Sequence, residues 1–296
     1  TLQVSTMTDG QVAGLSATQV KAIETADLAA MTSTQLQSIS DAALAQLSTA
    51  QVAALTADQI SNASAVVVSS LSPDQFEAFS SQQISALSIS QINALTASQV
   101  AKLDTNELQA LNDEQLAALS EKQIAGLSTQ HISTLLALSA LPFSESQVAG
   151  ISTAAVAALN ATEIGYFSEE QVRGLSSTQV RAMTATQLNG LNEYKLQALD
   201  ASDLAAVSTT VLADLATTQI ANLSTAQVAG LSSSQAKALG TAQLQAMTEE
   251  QLQSLSTANI AAHAANWRVI APCLCCSSNP LVSMTDVSVS RNPSTR

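Results

Sequence analysis

Apolar residues recur along this chain at alternating separations of five and three. Leu47, Val52, Leu55 and Ile60 show the pattern, and Leu87, Leu95, Leu103, Leu111, Leu119, Leu127 and Leu135 carry it onward. The sum is an octad that runs from about Met7 to Asn259 with no insertion or deletion. A fixed internal period is the mark of a repeat architecture and takes precedence over any other reading. Numbered from its Leu, position one is Leu, Ile, Met, Phe or Val, with Ala63 the exception. Position two is nearly always Ser, Thr, Asn or Asp, as in Ser16, Ser48, Asp104 and Asn112. Position five is usually Gln, as in Gln19, Gln51, Gln99 and Gln179. Position six is Val, Ile or Leu, with Phe76, Ala140 and Ala236 as rarer choices. Position eight is small, as in Ala22, Ala54, Gly126 and Gly230, and positions three, four and seven vary.

Ser/Thr-x-x-Gln is a capping box. The hydroxyl accepts from the N–H of the third helical residue, and the Gln side chain returns to the cap's own N–H. The preceding Leu and the following Val or Ile then form the hydrophobic staple that fixes how the chain enters the helix. Pro73 directly follows Ser72 and so falls at the first helical position, where proline is favoured. A continuous helix does not fit, because eight residues overshoot two turns by about 80° and the apolar stripe would spiral. A β-solenoid does not fit either, since odd separations put positions one and six on opposite faces of a strand. The expected fold is therefore all-α: a solenoid of about 31 very short helices, one per octad, each a cap, roughly one and a half turns and a bend at the next Leu. Helices this short are marginal in isolation and depend on contacts between units. The small residue at position eight is expected to let neighbouring helices approach closely.

This reading assigns residues 1–262 to the octad solenoid as one domain. The stretch 135–142 is degenerate, yet Phe143 resumes on phase. Residues 263–296 break the pattern and are expected to be irregular. That tail holds the one Trp (Trp267), all three Cys (Cys273, Cys275, Cys276), and Pro272, Pro280 and Pro293. It reads equally as a native linker or the start of a new domain, or as translation in a shifted frame. Cys273-x-Cys275-Cys276 has no second cluster of the kind that structural zinc sites require, so incidental thiols are expected.

Composition narrows the function classes. The array through Ile260 carries seven Lys/Arg against 22 Asp/Glu, a net −15, and the remainder is +2. Such a surface argues against nucleic acid and anionic membranes as partners. No apolar run approaches the ~20 residues of a membrane span. His131 takes the place of Gln at position five, where a polar capping role is expected rather than catalysis. Glu169-Glu170 and Glu249-Glu250 occupy equivalent positions three and four, suited to the helix dipole. There is no phosphate-binding Gly-rich loop, calcium nonapeptide or Ser/His/Asp arrangement. No catalytic, cofactor-binding or metal-binding residue is assigned, and the chain is not expected to be an enzyme.

Octads such as Leu223-Ser224-Thr225-Ala226-Gln227-Val228-Ala229-Gly230 resemble tandem arrays of large bacterial proteins often labelled haem-utilisation or adhesion proteins. The resemblance covers nearly the whole chain outside its last ~30–37 residues. It implies a secreted or cell-surface setting. The haem label finds no axial-ligand pocket in a chain with two histidines. The missing initiator Met and the early start of the array suggest a fragment of a longer protein. Two functions stay in view. One is a structural or adhesive spacer whose partners are the neighbouring repeats. The other is a binding module, with positions three, four and seven lining a groove for a protein or glycan. Ice binding by Thr rows is a weaker alternative, since the hydroxyls already serve as caps.

Overall fold

The computed structural model describes residues 4, 6–138 and 142–262. The tail with His263, Trp267 and the three cysteines lies outside the described residues. So do Ser139, Ala140 and Leu141 of the degenerate stretch. Among the described residues there are 31 α-helices and no strand, as the octad requires. All but one helix span four to six residues. None is long and apolar enough to cross a membrane.

The joint between helices follows from the octad. In the unit 47–54, Ser48 is extended (φ −70°, ψ 161°), its hydroxyl accepts from the Gln51 N–H, and the helix Thr49–Ala54 follows. It ends at Leu55, again extended (φ −61°, ψ 142°), whose N–H donates to the Val52 carbonyl at 3.2 Å. Two extended residues, Leu55 and Thr56, turn the chain, and Thr56 caps the next helix, Ala57–Asn62. Pro73 stands at the start of the helix Pro73–Glu77, where the sequence places it.

One helix departs from one-per-octad. Thr129–Leu138 runs ten residues, through Leu135 into the next unit. Position two of that unit is Leu136, which has no side-chain oxygen to hold an amide and is itself buried. With no cap to compete with the helical hydrogen bonds, the helix continues. Register survives: Phe143 is buried and Ser144 caps the next helix, Glu145–Gly150. Elsewhere Glu24, Ser40, Asp200 and Ala216 start helices without a side-chain cap bond, so the cap is not needed in every unit.

The chain divides into two compact units, Thr1–Leu199 and Asp200–Arg296. In the first, each helix packs on the one three octads later: Asp9–Ala13 on Ser33–Ser38, Ala65–Ser70 on Ile89–Ala94. The second follows the same rule, with Ala201–Ala206 on Thr225–Ala229 and Thr217–Asn222 on Thr241–Ala246. Each unit is thus an α-solenoid whose turns stack directly. Position six forms the innermost row, with Val52, Ile84, Ile92, Val100 and Leu108 excluded from solvent, and position one lines the core beside it. Phe76 and Phe79 meet at 5.0 Å between ring centroids. At position eight, a Cβ built on Gly126 would stand 2.6 Å from the Ala97 carbonyl oxygen of the preceding turn. The close approach expected of small residues is therefore real at this unit, and no larger side chain fits without movement.

Candidate functional site: the side-chain amide ladder

The chemistry of this chain is concentrated at position five. Gln99 is fully buried. Its Oε1 accepts from the Thr96 N–H at 2.8 Å and from the Thr96 hydroxyl at 3.0 Å, while its own N–H donates to Thr96 Oγ1 at 3.2 Å. That is the predicted capping box. The Nε2 end does something else. It donates to the carbonyls of Val68 at 2.8 Å and Leu71 at 3.1 Å, 31 and 28 residues upstream. One primary amide therefore closes its own helix start and laces it to the previous turn.

The arrangement repeats. Gln59 donates to Leu28 and Met31, Gln91 to Ile60 and Ala63, and Gln187 to Val156 and Leu159. Gln75 reaches Ala45 and Leu47. In the second unit Gln235, Gln243 and Gln251 do the same, and Asn259 Nδ2 reaches Leu231 at 2.8 Å. The acceptors lie between three and four octads back, so a turn of each coil takes between three and four octads. The carbonyls used are those of position one and of positions six and seven in the last turn of the helix, where regular helical partners run short. A short helix has a large share of such groups, and the ladder satisfies them inside the fold.

Sequence reading had the Oε1 half of this site and missed the Nε2 half. A signal existed. A capping box accepts Glu as readily as Gln, and the helix dipole favours the acid. Yet position five holds twenty Gln and two Glu. Only the amide has a donor to give the previous turn.

Units without Gln show the two roles separately. Lys195 keeps the donor, reaching the Gly165 carbonyl at 2.6 Å, and its unit retains only the Asn192 half of the cap. Val67, Ala155 and Val211 have neither role, though Ser64, Ser152 and Ser208 still cap their helices. Glu107 is buried and accepts from the Asp104 N–H at 2.8 Å. Burial pushes its carboxyl above the ordinary 4.5; its bond from the Asp104 backbone pulls the other way. His131 fills the capping role expected of it: Nδ1 accepts from the Ser128 N–H at 3.2 Å.

The remaining polar features are superficial. Lys102 contacts Asp74 at 3.3 Å and Glu77 at 2.7 Å on the turn before, and Arg173 contacts Glu145 at 3.1 Å. Exposed pairs of this kind contribute about 0–1 kcal/mol. The bonds to Glu77 and Asp74 raise the Lys102 pKa above 10.5. Glu169-Glu170 and Glu249-Glu250 open their helices, as the sequence suggests. Glu250 is held below 4.5 by its own backbone N–H and by Thr248. Where Ala63 replaces the usual Leu, a pocket of about 190 Å³ opens, lined by Leu36, Leu44, Ala63 and Val67 and rimmed by Asp41 and Asn62. Among the described residues, no group of three His, Cys, Asp or Glu is placed to share a metal ion.

A comparison with curated proteins finds no match. Three stretches, 20–57, 68–105 and 100–135, match the model of the ALTTAQ repeat family. Its name reads as positions eight and one to five of the octad, as in Ala94-Leu95-Thr96-Ala97-Ser98-Gln99. This is a helical repeat protein, similar over those stretches to the ALTTAQ repeats.

Proposed function

We propose that the chain is a structural or adhesive spacer in a large bacterial surface or secreted protein, with no catalysis of its own. The amide ladder carries this reading. Most octads carry a Gln at position five, and the buried ones turn its amide inward to bind the neighbouring turn, as Gln99 and Gln123 do. That chemistry builds length and leaves little at position five to offer a substrate. The resemblance to arrays of adhesion proteins supplies the setting. The acidic surface and the lack of Cys within the array suit an extracellular location. Protease shaving of intact producing cells tests the setting: array peptides should be released without lysis. Retention of the whole array inside shaved cells would overturn it.

A second reading, a binding module for a protein or glycan, draws on one observation. The chain's two tyrosines, Tyr166 and Tyr194, are 52% and 67% exposed. They flank the residues of the Lys195–Gly165 bond, so the chain brings their backbones together on successive turns. Exposed tyrosines are common anchors of interfaces. Replacing both with Ser should abolish capture on a glycan or protein array if this reading holds. Unchanged capture would remove its basis.

A further inference from the structure

The position-five lattice contains one imidazole, His131. His131 performs the capping task of a Gln. Its Nδ1 accepts from the Ser128 N–H at 3.2 Å, and the Leu103 carbonyl, 28 residues upstream, favours the charged ring. A neutral imidazole has one donor and one acceptor, so an accepting Nδ1 is bare and Nε2 carries the proton. Gln cannot lose its acceptor with pH, whereas His131 can.

We propose that the octad 127–134 is an acid-sensitive joint in the array, opened when a proton on His131 Nδ1 replaces the acceptor for the Ser128 N–H with a donor. Two N–H groups then face each other and the returning half of the capping box is lost. The Ser128 hydroxyl, which accepts from the His131 N–H at 3.2 Å, is left as the remaining half.

The location gives that loss more leverage than it would have elsewhere. The helix begun at this box is Thr129–Leu138, the longest of the described helices, and Leu136 offers no second start. Three octads on, position five is Ala155, whose methyl has nothing to donate to the carbonyl of Leu127. Three octads back it is Glu107, an acid. Gln would have laced both turns.

The charges around the imidazole come from three packed helices. Thr105–Gln109 brings Glu107 and its cap Asp104, whose charge favours imidazolium. Thr153–Ala158 brings no ionisable group. Ala161–Gly165 brings Glu163, whose carboxylate accepts from the Ser133 hydroxyl. Burial outweighs Asp104 and the Leu103 carbonyl, and holds His131 below the ordinary 6.5. The histidine is thus neutral and capping at pH 7, and it is charged only under acid conditions. Protonated Glu107 gains a donor as His131 loses its acceptor, so acid loosens this octad and not the turn before it.

Hydrogen exchange on the full chain, read by mass spectrometry, tests the joint. The peptide covering 128–138 is compared with 176–186, built on the Gln179 box, at pH 7.5 and 5.0. The ratio of their protection factors should fall about tenfold in the wild type, the effect of losing one capping bond. In His131→Gln it should stay flat, and Gln is the residue most octads carry here, so folding is not at risk. An equal fall in both proteins would overturn the proposal. So would ¹⁵N-histidine NMR of the His263→Asn protein, if neutral His131 carried its proton on Nδ1.

Discussion

The side-chain amide of Gln123 stands 2.8 Å from the carbonyl oxygen of Leu95, 28 residues upstream, while its Oε1 accepts from the Ser120 N–H at 2.7 Å. A single residue thus ties a local event, the start of a helix, to a distant one, the stacking of turns. Helices of four to six residues cannot hold themselves together in water. The solenoid supports them by making the same side chain responsible for both. Folding of one octad is coupled in this way to the presence of the octads three and four before it.

Gln99→Met tests the ladder. The side chain keeps its volume, but Val68 and Leu71 lose a donor and Thr96 loses its returning acceptor. Unsatisfied buried groups cost about 1–3 kcal/mol each. Urea denaturation should show a loss of about 2–4 kcal/mol, more than a cap alone contributes.

Glu107→Gln should act in the opposite direction. The carboxyl is raised above 4.5 in the folded chain, so folding favours its protonated form. The wild type therefore has its advantage below 4.5 and loses it as pH rises through the higher folded value. At pH 7 the variant should be the more stable by about 1–3 kcal/mol. At pH 4 the two denaturation midpoints should converge.

Gly126→Ala places a methyl 2.6 Å from the Ala97 carbonyl. Adjacent turns must part to admit it. Overpacking of this kind costs about 1–3 kcal/mol, and thermal melts should show the loss. Ala at the same position is tolerated in octads such as 47–54, so the cost is specific to the closeness of this contact.

Ala63→Leu should fill the pocket between Leu36, Leu44 and Val67. It restores the residue type that position one carries in most octads. Burial of the added methylenes should contribute about 1–2 kcal/mol, seen as a higher urea midpoint with an unchanged slope.

Much of the fold was legible because its devices are local. Ser48, Gln51, Val52 and Leu55 lie within eight residues, and the box and staple they form require no knowledge of the rest of the chain. The merged helix Thr129–Leu138 was not read, since one helix per octad was expected, although Leu136 stands where an oxygen belongs. What was not legible is the stacking. Nothing in one octad states how many make a turn, so the carbonyls that receive Nε2 could not be named. The sole trace is the choice of Gln over Glu at Gln99, Gln123 and their equivalents. The break between the two compact units at Leu199 and Asp200 has no trace, since the octad passes through it unchanged. His131 was read as a cap; the influence of the Leu103 carbonyl on its ring comes from the same unseen lattice.

The spacing of 28 and 31 residues between donor and acceptor has a genetic consequence. Successive octads present equivalent carbonyls, at position one and at positions six and seven, so a coding segment of 24 nucleotides can be gained or lost and each amide still finds an equivalent partner. A shift of one residue would instead break the spacing for every Gln whose acceptor lies across it. Recombination between near-identical octads can therefore change the length of the array in whole units, with no compensating change in sequence.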